Sequence, residues 1–151
     1  MDNELGSTKT KYEYDNPTSD ILKTFENEYP NYLISIKTYE FTSLCPVTGQ
    51  PDFATIIIQY IPDKQCVESK SLKLYLGAYR NNGMFHEKCV NKIIRDCTTV
   101  LDPLYIRVIG DFAPRGGISI NPVAEYTKPG YIIGDMMLST LPILHNTHSH
   151  I

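Results

Sequence analysis

A chain of 151 residues, 42% hydrophobic and 21% charged, has room for one domain with a real core and is not of disordered composition. Its formal net charge of -3 is too mild for an electrostatic binder of nucleic acid or membrane surfaces. No apolar run reaches the roughly 18 residues that span a bilayer, so those classes are set aside.

Along the chain, residues 1–30 read as a flexible N-terminal arm, because MDNELGSTKTKYEYDNPTSD is polar and carries no secretory pattern. NYLISIKTYEF alternates, with Ile34 and Ile36 on one side and Ser35 and Lys37 on the other, as in a half-buried strand. A loop marked by Pro46, Gly49 and Pro51 follows, and the β-branched run FATIIIQYI predicts a second strand. The period then changes. Leu72, Tyr75, Leu76 and Tyr79 mark one face of a helix, with Ser69 as its N-cap and Asn81-Asn82-Gly83 as its stop. A second helix carries Val90, Ile93, Ile94, Cys97 and Leu101 on its apolar face and closes at Asp102-Pro103. LYIRVIGDF alternates again, PRGG turns, and ISINPVAEY is a last strand weakened by Pro122. The expected class is α+β in the order β-β-α-α-β-β, an antiparallel sheet with two helices on one face. Its open edges call for pairing between neighbouring subunits. Residues 31–126 hold this domain and 127–151 form a tail. His145, His148 and His150 in the tail lack a carboxylate or cysteine at ligand spacing, so no metal is expected there.

The chemistry starts with four cysteines, Cys45, Cys66, Cys89 and Cys97, that form no CxxC pair. They read as reduced thiols of a cytoplasmic protein. Cys66, Cys89 and Cys97 read as small buried hydrophobes. Cys45 sits in a loop between two strands, where functional groups concentrate. Asp52, at the far end of that loop, either caps the turn or folds back beside the thiol as a proton donor. Lys70 and Lys73 share a helix face near an N-terminus, where they are either solvated or placed for phosphate. Glu68 either favours the helix dipole or offers two acceptors to the N–H edge of a purine-like base. His86 and Glu87 open the second helix, as plain surface groups or as a carboxylate and imidazole on a guanine-type edge. Arg115 is either a turn-surface cation or a bidentate phosphate ligand.

EFTSLCPVTGQPDFATI, then VESKSLKLYL, FHE and RGG, in that order over about residues 30–123, strongly resemble the NADPH-dependent 7-cyano-7-deazaguanine reductases in their short, single-domain form. The resemblance implies the tunnelling fold and subunits joined in oligomeric rings with sites at the interfaces. It implies Cys45 as nucleophile and Asp52 as proton donor. It gives Val67, Glu68, Ser69, His86 and Glu87 to a 7-deazapurine substrate, and Lys70, Lys73 and Arg115 to the NADPH phosphates. The implied reaction takes a nitrile to a primary amine with two NADPH through a covalent cysteine thioimide, in the queuosine route to modified tRNA. It needs no metal and no direct contact with nucleic acid or membrane. Rival readings are a thiol peroxidase, from the TSLC match, and a cyclohydrolase-like tunnelling-fold enzyme acting on a pterin. A third is a purine-binding module without catalysis.

Overall fold

The computed structural model describes residues 10–140. The tail histidines His145, His148 and His150 lie outside the described residues, as do residues 1–9. In chain order come a 3-10 turn at Ser19–Ile21, β1 at Thr24–Glu26, β2 at Ile34–Leu44, β3 at Pro51–Ile61, β4 at Gln65–Val67, α1 at Ser69–Gly77, α2 at His86–Leu101, β5 at Tyr105–Phe112, β6 at Val123–Thr127 and α3 at Asp135–Thr140. The main sheet has the order β2-β3-β5-β6, antiparallel throughout, and β1 pairs with β4 in a second, two-stranded sheet. The expected β-β-α-α-β-β core is present. Two short strands and a third helix are added to it.

The core lies between the main sheet and the helices. Ile56, Ile58 and Tyr60 of β3 and Ile106, Val108 and Phe112 of β5 meet Leu72 and Tyr75 of α1, Tyr79 just beyond its end, and Val90, Ile93 and Cys97 of α2. Each such side chain, fully buried, stabilises the fold by about 1.5–3 kcal/mol relative to exposure. Gly110 is required by close approach. A Cβ there would lie 2.7 Å from both Val90 Cγ2 and Phe112 Cε2, so any side chain would push α2 off β5. A buried polar network also ties the helices: Tyr75 Oη donates to Asp96 Oδ2 at 2.8 Å, and Lys92 Nζ reaches the same oxygen at 2.8 Å.

Strand β2 does not keep one face throughout. Thr38 pairs with Ile56 but Phe41 pairs with Ala54, so one extra residue sits on β2, a β-bulge. With a side-chain period of two, that residue exchanges the faces. Ile34 and Ile36 face the core before the bulge, and Phe41 and Ser43 face it afterwards.

Several local expectations are corrected. The arm is ordered well before residue 30. Thr24–Glu26 pairs with Gln65–Val67, Leu22 is 5% exposed, and the Lys23 amide donates to Ser71 Oγ at 2.9 Å. Its partners are distant in sequence, so local polarity gave no hint of them. The N-cap of α1 is Glu68, not Ser69, because the longer carboxylate reaches two free amides at once. That helix stops at Gly77, ahead of the Asn-Asn-Gly stretch. Strand β6 begins only after Pro122, which has no N–H for the ladder. Among the described residues no helix is long and apolar enough to cross a membrane.

Candidate active site

Cys45 leads the tight connection between β2 and β3. Its amide donates to Gln50 O at 2.8 Å and its carbonyl accepts from Gly49 N–H at 2.9 Å. Gly49 takes the left-handed φ of 71° that this turn needs. The α1–α2 connection pins the loop from outside. Leu44 N–H donates to Asn82 O at 3.0 Å, and Met84 N–H donates to Leu44 O at 2.9 Å. The loop therefore presents the thiol from a fixed frame.

The surroundings of that thiol are polar. Hydrogen bonds from the Thr48 hydroxyl, then the Thr48 N–H, the Arg115 guanidinium and the Val47 N–H lower its pKa to about 6, against the upward push of burial. Thiolate is then the main form at neutral pH. Cys89 and Cys97 show the opposite: burial pushes them up to about 11 and about 12. Cys66 is buried beside Tyr32, whose Oη lies 3.5 Å from its sulfur.

Asp52 stands on β3 opposite Ser43, so the hairpin register returns the carboxylate to the thiol's end of the sheet. It is 4% exposed and lies between two cation-forming groups, Arg115 Nε 3.2 Å from Oδ1 and His86 Nε2 3.2 Å from Oδ2. The imidazole, at the start of α2, stacks on Phe112 with centroids 3.9 Å apart and planes at 8°. Among the described residues Asp52 Oδ2, His86 Nδ1 and His86 Nε2 have no aligned hydrogen-bond partner although all are buried. Buried polar atoms normally find partners, so these three atoms hold capacity for a ligand.

Cys45, Asp52, His86 and Arg115 are thus brought together. Glu87, one residue on, is exposed at the same helix start. The other expected residues form a second group on β4 and α1. The Val67 amide donates to Tyr60 Oη at 3.0 Å, and Glu68 accepts from Lys70 N–H and Ser71 N–H, each at 2.8 Å. Ser69 is exposed and Lys70 half-buried. Lys73 Nζ sits 5.6 Å from the Tyr12 ring centre and, with Ser69 and Arg80, borders a cavity of about 640 Å³ between α1 and the edge of β2. These cations have the right chemistry for phosphate, but Cys45, Asp52 and His86 do not line that cavity. Arg115 is turned onto Asp52 and Cys45. Sequence reasoning missed Thr48 and Phe112. A hydroxyl three residues past the thiol was a readable signal for Thr48. Nothing local marked Phe112 as the platform under His86.

A family profile described as QueF-like protein matches residues 51–131. A Bacillus cytotoxicus protein named NADPH-dependent 7-cyano-7-deazaguanine reductase is 56% identical over 128 residues, covering 83% of this chain and 77% of the relative. The chain belongs to this reductase family. Members of the family from Streptococcus mutans, 56% identical and covering 83% of this chain and 78% of the relative, and from Neisseria gonorrhoeae, 54% identical with 83% and 81% covered, carry the same name. The crystal structure of the archaeosine synthase QueF-Like in the apo form superposes with a TM-score of 0.60 at 23% identity, covering 64% of this chain and 95% of that one. That likeness bears on the fold alone, and it is the tunnelling fold that the resemblance implied.

Proposed function

We propose that this protein is an NADPH-dependent nitrile reductase that converts 7-cyano-7-deazaguanine to 7-aminomethyl-7-deazaguanine. The observation that carries this is a buried carboxylate, Asp52, held 3.2 Å from both Arg115 and His86 at the end of the loop that presents the Cys45 thiol, in a chain of this family. A nitrile carbon is electrophilic but a poor hydride acceptor. Addition of the Cys45 thiolate, with a proton passed to nitrogen, gives a thioimide and divides one hard step into easier ones. NADPH, consumed as co-substrate, supplies hydride to that carbon. Cleavage of the C–S bond then returns the thiolate and leaves an imine. A second NADPH and one further proton complete the amine. The balance is one nitrile, two NADPH and two protons to one amine and two NADP⁺.

Asp52 is the proton donor in this reading. His86 Nε2, 3.2 Å away, can hand a proton on once ring and carboxylate align. Both also keep buried atoms without aligned partners, which suit them to meet a polar edge of the substrate. Glu87, Val67, Glu68 and Ser69 complete recognition of the base, and Lys70 and Lys73 serve the NADPH phosphates. Among the described residues strands β2 and β6 are the outer strands of the sheet with no further strand beside them, so a homo-oligomer that pairs edges and completes the site between subunits fits the architecture. The test is NADPH absorbance on addition of 7-cyano-7-deazaguanine. Loss of two NADPH per nitrile is expected, and no nitrile-dependent loss would reject the reading.

A further inference from the structure

The His86 ring is set by a ring contact. It opens α2, is 5% exposed, and among the described residues neither of its nitrogens has an aligned hydrogen-bond partner. A buried imidazole is ordinarily oriented by a hydrogen bond at one nitrogen. What meets this one is the face of Phe112, the last residue of β5, with 3.9 Å between centroids and 8° between planes. That is closer than the roughly 4.5–7 Å usual for aromatic pairs. The Phe112 ring is itself held. It is fully buried, and Phe41 meets it edge-on at 6.1 Å and 89°. Gly110, two residues earlier on the same face of β5, leaves it room, since a Cβ there would lie 2.7 Å from Phe112 Cε2. The Phe112 backbone is fixed as well, paired with Ala54 and donating its N–H to Asn121 Oδ1 at 3.1 Å.

We propose that Phe112 is a positioning residue for the reduction: its ring fixes the plane of His86, so that Nε2 stays 3.2 Å from Asp52 Oδ2 while Nδ1 stays open to a ligand. The proposal rests on the reductase reading, in which Asp52 and His86 move the proton that goes to the substrate nitrogen. Phe112 offers no polar atom to that step and acts through His86. The torsion that turns an imidazole about its Cβ–Cγ bond has a broad well, so a ring without a hydrogen bond needs a wall to stop it. A leucine fills much of the volume of Phe112 but presents no flat face. With the ring free to turn, Nε2 swings away from the carboxylate, and a misplaced proton relay slows the chemical step more than it weakens binding.

The test is a cycle of four proteins, wild type, Phe112→Leu, His86→Ala and the double variant, each assayed for nitrile-dependent NADPH oxidation. Phe112→Leu is expected to lower kcat roughly tenfold or more, with the KM for NADPH little changed. In the His86→Ala background the same substitution is expected to change kcat by less than about twofold, because residues that act as a unit are not additive. An equal loss in both backgrounds, as a merely structural core residue gives, or no loss in either, overturns the proposal. If Phe112→Leu does not fold, Phe112→Met takes its place. If His86→Ala turns over too slowly to read, Phe112→Tyr, which keeps the ring, decides. A kcat near wild type beside the loss in Phe112→Leu supports the proposal, and the same loss in both overturns it. A second readout uses neither nitrile nor NADPH. In protein whose histidines carry carbon-13, the His86 ring protons, assigned by their disappearance in His86→Ala, should lie upfield in wild type, shielded by Phe112, and move downfield in Phe112→Leu. Unmoved signals overturn the proposal. A moved signal in a protein without nitrile-dependent NADPH oxidation would sink the reductase reading and leave the stack standing.

Discussion

The cluster around Cys45 and the segment from Val67 to Lys73 spend their hydrogen-bonding capacity differently. Around Cys45, buried atoms of Asp52 and His86 remain without aligned partners, and a thiol is held toward its charged form. In the β4–α1 segment, the Val67 amide is taken by Tyr60 and both Glu68 oxygens cap α1. Unsatisfied buried groups are costly to a fold, so they persist where something else uses them. The first region keeps capacity for a ligand. The second is built first for the helix, and only lone pairs left over by the cap remain for a ligand.

The largest effect expected from this contrast is at the sulfur. Cys45→Ala should abolish nitrile-dependent NADPH oxidation, and appreciable residual turnover would remove the nucleophile from the account. Next is Asp52→Asn. The loss of a positioned proton donor should slow turnover by about 10²–10⁴-fold while substrate affinity, read by calorimetry, changes less. A loss confined to affinity would turn Asp52 into a binding residue.

The pH dependence sharpens the comparison within the cysteines. Because the Cys45 thiol is lowered to about 6, its thiolate is present above that pH and is lost as pH falls through it. Alkylation of Cys45 should plateau above about pH 7. Cys89 and Cys97, raised to about 11 and about 12, should stay unreactive across the neutral range in the native protein. Equal labelling of all three would contradict the assignment. The smallest effect is in the second region. Glu68→Ala removes the cap of α1 and should lower stability by about 1 kcal/mol, read as a reduced midpoint in urea. No change would mean that the cap does not stabilise α1.

Much of this was readable in the chain. Alternation in β2 and β5, the β-branched run of β3 and the apolar stripes of the helices report burial directly, because each depends on local periodicity. That Cys45 and Asp52 stand at two ends of one short loop was readable, while spacing left open whether Asp52 caps the turn or serves the thiol. Three features were not. The β1–β4 sheet joins segments about forty residues apart, and neither is apolar enough to announce itself. The bulge between Thr38 and Phe41 changes faces without any glycine or proline to mark it. Arg115 was readable as a turn-surface cation or a phosphate ligand but not as the partner of Asp52, which arrives through the antiparallel register of β3 and β5.

The most direct trial is an intact-protein mass spectrum after 7-cyano-7-deazaguanine is added without NADPH. Wild type should gain one substrate mass per chain, reversibly, and Cys45→Ala should gain none. Wild type that stays at its own mass, or a Cys45→Ala variant that still gains the substrate mass, would contradict covalent capture by this thiol.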